Sequence, residues 1–381
     1  MTIEAALKRA VEQAGLPGAV AQFGNSKGTI ETAAVGVRNP ASGAPMQDDT
    51  IFQIASMTKA VTSVAALQLV ERGRLSLDEP ASTFLPDLGE VKVVDGFAAD
   101  GTAILRAPAR PVTLRHLLTH TSGFGYDFMN ETLVRANGPN APAAGTRAWL
   151  RAPLMFDPGD RWEYGIGIDW AGLLVEAVSG KTLEDQAQAE ILGPLGMKDT
   201  SFLPAKLDAS RRAALLSRQD NGSLTPFPIE IGGGDKAEFH AGGGGLYSTA
   251  TDYLRFARMI LAGGALDGAQ ILKPETVAEM SRNQIGALAA GRMETVVPAF
   301  ALANEMFPDM HKGWSLAFLI NPEAGPDGRA ANSLAWAGIA NTYYWIDPAN
   351  DIAAVLMMQF LPFADPGAWS VLSAFERAVY A

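Results

Sequence analysis

A serine and a lysine three places apart could form a nucleophile and its base. Ser56-Met57-Thr58-Lys59 has that spacing within "FQIASMTKAV". On a helix, residues three apart share a face, so Lys59 can reach the Ser56 hydroxyl. A lysine acts as a base only as the neutral amine. Burial and the positive end of a helix dipole both favour that form. The first N–H groups of such a helix lack internal partners and could stabilise an oxyanion. The pattern alone is weak, because a chain this long presents Ser-x-x-Lys by chance more often than not. A serine cap followed by a solvated lysine fits the same residues.

Two further segments add chemistry. Tyr164, in "RWEYGIGIDWAG", is a phenol just before a helix and could relay a proton to a leaving group. A buried structural tyrosine is the competing reading. Trp336-Ala337-Gly338, in "SLAWAGIANTYYWID", places a glycine in strand-like sequence. That allows close approach of a ligand, and an edge N–H could donate to the same oxyanion. A bulge or a tight packing contact would also use a glycine there.

Other candidates are weaker. His116 and His120 are four apart, a zinc-compatible spacing, but no third ligand falls in register. No Gly-x-Ser-x-Gly elbow is present. The glycines at 242–245 match neither a phosphate loop nor a dinucleotide fingerprint, and a turn beside the active site explains them better. Phe124, Tyr126, Trp336, Tyr343 and Tyr344 could line an acyl pocket, with Tyr126 and Trp336 favoured as walls. The methionine-rich stretch 290–314 has poor periodicity and reads as a loop flanking the site, where methionines adapt to varied acyl groups.

The elements that must position these residues follow from periodicity. Ile3, Ala6, Leu7, Ala10 and Val11 predict a first helix ending near Gly15. A hairpin turning at Asn25-Ser26-Lys27-Gly28 follows. A helix apolar on most sides, hence buried, is expected from Ser56 to Arg72. From about Leu77 to Leu224 the pattern is helical, with helices at "VTLRHLLTHTSG", "GIDWAGLLVEAVSG" and "TLEDQAQAEILGPLGM". "STATDYLRFARMILAGG" predicts one more. The last seventy residues give four strand-like runs, "GWSLAFLI", "SLAWAGIA", "NTYYWID" and "DIAAVLMMQF", then a closing helix. The expected fold is α/β (α+β): an antiparallel sheet built from both chain ends and flanked by helices, with an inserted, mainly helical domain. The expected division is a sheet domain of residues 1–85 and 225–381, and a helical domain of residues 86–224.

Composition bounds the function. The chain has 381 residues, 48% hydrophobic and 19% charged, as in a packed globular protein. A net charge of −11 without a basic run argues against nucleic acid as a partner. Zero cysteines exclude disulfides and thiolate chemistry and fit a cytoplasmic location. The first residues do not read as a signal peptide, and no apolar run reaches membrane-spanning length. No cofactor, metal or membrane partner is expected.

Together the motifs resemble the serine hydrolases that share the fold of class C β-lactamases and penicillin-binding proteins, with family VIII carboxylesterases most similar. "FQIASMTKAV", "LLTHTSGFGY", "WEYGIGIDW", "AGGGGLYSTATDYLRFARMIL" and "WAGIANTYYWIDP" occur in the family's order and span nearly the whole chain. The resemblance implies Ser56 as nucleophile, Lys59 and Tyr164 as the base pair, and the N–H groups of Ser56 and Ile339 as the oxyanion hole. Tyr126, Trp336 and Gly338 would contact substrate. Two departures point away from penicillins. Tyr164 is followed by Gly165-Ile166, where β-lactamases of this fold have asparagine two places on. Trp336 stands where they carry the lysine that binds an acidic group. The expectation is a serine carboxylesterase for small to medium acyl esters, working through an acyl-enzyme. The alternatives are a β-lactamase or D-amino-acid peptidase/amidase of the same fold, and a catalytically silent binding protein. Asp169 is expected to support the Tyr164 turn without touching substrate.

Overall fold

A computed structural model describes residues 2–381. Its centre is an eight-stranded antiparallel sheet. The strand order is Gly313–Trp314, Leu319–Asn321, Ser333–Gly338, Thr342–Asp347, Ile352–Met357, Gly18–Gly24, Thr29–Asn39 and Ala44–Pro45. The two chain ends meet where Gly18–Gly24 pairs with Ile352–Met357, with Val20 opposite Met357. The hairpin turn falls at residues 25–28 as the sequence predicts.

Helices cover both faces. Tyr344 and Trp345 are adjacent in one strand, so they point to opposite sides. Tyr344 packs on Tyr253 of the helix Ala250–Leu261, with ring centroids 5.0 Å apart. Trp345 packs on Phe375 of the closing helix Pro366–Val379, at 5.3 Å. The helix Ile3–Gln13 packs beside that closing helix. With both faces covered, every residue of the strands Gly18–Gly24, Ser333–Gly338 and Thr342–Asp347 is buried.

A second layer surrounds the helix Thr58–Glu71, which is buried from Thr58 through Leu69 and packs on the helix Gly167–Ser179. The α-helix begins two residues later than expected, after a 3₁₀ turn at Ala55–Met57. Ala55 in that turn has φ 45°, a left-handed conformation that costs a non-glycine about 1–2 kcal/mol. Several long-range bonds hold it there. The Ile54 N–H donates to Leu246 O, Tyr253 Oη donates to Met57 O, and the Leu246 N–H donates to Thr58 Oγ1.

The structure corrects several element expectations. The helix expected to run toward Gly123 spans only Leu114–Leu118, because His120 turns the chain at φ 58°. The region expected to be helical contains a β-hairpin, Val93–Phe97 with Ala103–Arg106, and a short pair, Leu216–Arg218 with Leu224–Pro226. "GWSLAFLI" forms two short strands. Ser315 Oγ accepts the N–H groups of Ala317 and Phe318 and folds the chain between them.

Gly338 joins the sheet to the Ser56 turn. A Cβ there would lie 2.3 Å from both Ile54 O and Thr342 Oγ1. Its glycine is therefore required by packing against the backbone of the nucleophile turn. Gly338→Ala should lower stability by about 1–3 kcal/mol, as overpacking does. Gly291→Ala, where a Cβ meets nothing within 4 Å, serves as the control. Thermal melts of the two variants check this, and equal melting temperatures would contradict the packing account.

Candidate active site

The 3₁₀ turn buries Ala55 and Met57 and leaves Ser56 partly exposed at the wall of a cavity of about 390 Å³. Behind it, Lys59 is 1% exposed. Its Nζ lies 3.0 Å from Ser56 Oγ, 3.0 Å from the Tyr126 hydroxyl and 2.6 Å from Gly243 O. An ammonium has three donors and here meets three acceptors. In the amine form, N–H groups directed at Gly243 O and Tyr126 would leave the lone pair on the Ser56 side.

The Gly243 carbonyl is held by a chain of contacts. Its own N–H donates to Asp169 Oδ1 at 2.9 Å, and a Cβ on Gly243 would meet Asp169 Oδ2 at 2.4 Å. Thr62 Oγ1 donates to the neighbouring Gly242 O at 2.8 Å. The glycine run thus threads between the two buried helices, and side chains at Gly242 and Gly243 would prevent it. Asp169 is 2% exposed. Burial raises its carboxyl above the ordinary range, while the Lys59 charge and the Gly243 N–H pull the other way.

Tyr164 touches Lys59 by its ring face: Nζ is 4.7 Å from the ring centroid. Its hydroxyl accepts the indole N–H of Trp336 at 3.2 Å. The lysine's phenolic hydrogen-bond partner is thus Tyr126, which sequence reasoning placed only as a wall. Burial pushes the Tyr126 phenol well above its ordinary range, and the neighbouring Tyr164 and Asp169 add to this, so it stays protonated. The two tyrosine rings are 5.3 Å apart. His120 packs on Tyr164 at 4.8 Å and on Trp314 at 4.9 Å. Its Nδ1 accepts the Gly165 N–H at 3.3 Å. Burial, helped by Lys59, drives His120 well below the ordinary histidine range, so it stays neutral. His116 Nδ1 accepts the Thr113 N–H in a capping box. Both histidines are thus engaged in backbone geometry.

Ser56, Tyr126, Tyr164, Trp336, Gly338 and Ile339 all line the one cavity. Among the described residues, neither the Ser56 nor the Ile339 N–H donates to a protein acceptor. Phe124, Tyr343 and Tyr344 belong to the core and not to the cavity lining. The methionine-rich stretch does reach the cavity, through Met293, Phe300, Ala301 and Met306. Asp169 and Gly243 also line it. Four consecutive glycines were the signal for Gly243, since close backbone approach is what such a run permits. Nothing in the sequence singles out Tyr126 as the lysine's partner.

The beta-lactamase family model matches residues 3–372. The lovastatin esterase of Penicillium rubens is 32% identical over 375 residues, covering 94% of this chain and 92% of its own. The monacolin J acid methylbutanoyltransferase of Aspergillus terreus is 32% identical over 396 residues, covering 100% of this chain and 95% of its own. Among solved structures, a mutant simvastatin synthase from Aspergillus terreus superposes with a TM-score of 0.83. It is 31% identical and covers 99% of this chain and 93% of that one. A family model spanning nearly the whole sequence and near-complete superposition on a solved relative agree with the motifs: the chain belongs to the beta-lactamase family and is a serine hydrolase of that fold.

Proposed function

We propose that the protein is a serine carboxylesterase for small to medium acyl esters, acting through an acyl-enzyme on Ser56. The observation that carries this reading is the buried Lys59 Nζ, 3.0 Å from Ser56 Oγ at the wall of an apolar cavity. The names of the esterase and acyltransferase relatives support ester chemistry. A cytoplasmic location is part of this proposal and is compatible with the lack of cysteine; no described helix is long and apolar enough to cross a membrane.

Ser56 Oγ attacks the ester carbonyl carbon while its proton passes to the Lys59 amine. The carbonyl oxygen gains the negative charge and is met by the N–H groups of Ser56 and Ile339. The C–O bond then breaks, and the departing alkoxide takes a proton from the Tyr164 hydroxyl, leaving a phenolate whose charge the Lys59 ammonium, 4.7 Å from that ring, offsets until water gives the phenol its proton back. Trp336 already donates to Tyr164, so the phenol's own proton is free to point at the leaving group. Water attacks the acyl-enzyme and gives its proton to the same pair. Ser56 leaves reprotonated, with the acid as product. Tyr126 holds Lys59 in place and is not part of the relay.

A second reading, acyl transfer to an alcohol, shares the acyl-enzyme. The aromatic and methionine lining favours it, because such walls disfavour water at the deacylation step.

Among the described residues lining the cavity there is no lysine or arginine, whereas Asp127, Asp169 and Glu230 are acidic. A carboxylate-bearing lactam therefore lacks its charged partner. On one preparation, p-nitrophenyl butyrate should exceed nitrocefin in kcat/KM by about 10- to 100-fold, the worth of one charge-assisted contact. Nitrocefin turnover equal to or above the ester would favour the lactamase alternative. Ser56→Ala should abolish ester turnover with the circular dichroism spectrum retained, and wild-type turnover in that variant would sink the assignment. Tyr164→Phe should lose about 10²–10⁴ in kcat, as loss of a proton relay does. Tyr126→Phe should lose about tenfold, as loss of one hydrogen bond does. Steady-state kinetics on both variants decide, and the reverse order would exchange their roles.

A further inference from the structure

One cavity wall is held by a buried charge that does not itself line the cavity. Lys312 has a side chain 2% exposed. Its Nζ lies 2.7 Å from Glu305 Oε1 and 3.0 Å from each of the Phe307 and Met310 carbonyl oxygens. All three acceptors belong to its own loop, so this charge shapes that loop and joins no distant elements. Glu305 and Phe307 are the two chain neighbours of Met306, and Met306 lines the cavity. Phe307 lies at φ 51°, a strained conformation for a non-glycine, and its carbonyl is one that the ammonium grips.

The rest of the loop is tied by backbone. Met293 and Asn304 exchange N–H···O bonds of 2.8 and 2.9 Å. Val296 N–H donates to Phe128 O, Leu302 N–H to Phe363 O, and Ala290 N–H to Lys312 O. Met306 lies between the Asn304 and Lys312 ties, flanked by the two residues whose groups Lys312 holds. A methionine side chain is flexible, and it makes a defined wall only when its backbone is fixed.

We infer that Lys312 is a positioning residue for acyl-chain selectivity: by gripping both neighbours of Met306, it pre-orders that side chain as a wall for longer apolar acyl groups. The inference rests on the esterase reading of the site. An acetyl group has little to place against this wall, whereas an octanoyl chain has much. Taking a lysine out of water is costly unless its donors are met, so the three acceptors and the charge are mutually dependent. Removing either charged partner should loosen the loop without touching Ser56, Lys59 or the tyrosines.

The test compares p-nitrophenyl acetate with p-nitrophenyl octanoate in wild type, Lys312→Met and Glu305→Gln. In Lys312→Met the octanoate-to-acetate ratio of kcat/KM should fall about three- to tenfold, the worth of one pre-ordered side chain. The change should appear in KM for octanoate, with kcat and acetate turnover near wild type. Glu305→Gln should shift the ratio in the same direction by less, and it decides the matter if Lys312→Met does not fold. A purely structural lysine would lower both esters together, or the melting temperature alone, and either result overturns the inference. An unchanged ratio in variants of an active enzyme overturns the clasp while leaving the site reading intact. A wild type that hydrolyses neither ester overturns both.

Discussion

Lys59 is the constraint on which the rest depends. A lysine with 1% exposure is tolerated only where the fold supplies its partners. Those partners come from three separate segments: Ser56 from its own helix start, Tyr126 from the loop after the short helix, and Gly243 from the glycine run. Each must arrive within hydrogen-bond distance at once. The helix Thr58–Glu71 is therefore buried nearly all round, and Gly243 must lack a side chain to accept from the lysine while donating to Asp169.

The sheet serves the same point. The 3₁₀ turn carrying Ser56 would not hold Ala55 at positive φ unaided. It is held between Leu246, Tyr253 and the end of the strand Ser333–Gly338, whose last glycine lies directly against Ile54 O. That strand also delivers Trp336 to Tyr164 and Ile339 to the cavity. A strand from the C-terminal part of the chain and a turn from the N-terminal part thus meet at one site, and the sheet joining both chain ends makes the meeting possible.

Much of this was legible in the sequence, for physical reasons. Strand-like apolar runs marked the strands from 333 to 357, because burial on both faces leaves a nearly continuous apolar trace. The apolar helix after Ser56, the glycine run and the methionine-rich loop each carried a compositional signature of where they sit. What escaped was set by tertiary contact. His120 at positive φ cuts a helix that local propensity would extend to Gly123. Exposed Ile104 and Leu105 lie on a hairpin where the surrounding pattern read as helical. Gly338 reads equally as a ligand approach or a packing contact until Ile54 is placed beside it. The choice of Tyr126 over Tyr164 as the lysine's hydrogen-bond partner depends on side-chain direction, which spacing along the chain does not encode.

The most direct measurement is acid-quench mass spectrometry of the protein mixed with p-nitrophenyl butyrate, followed by peptide mapping. The account predicts one butyryl group per chain, on the peptide containing Ser56 and on the Ser56 oxygen, formed and lost at rates that support turnover. An active enzyme that carries its acyl group on another residue, or that turns over with no acylated species at any quench time, would contradict it.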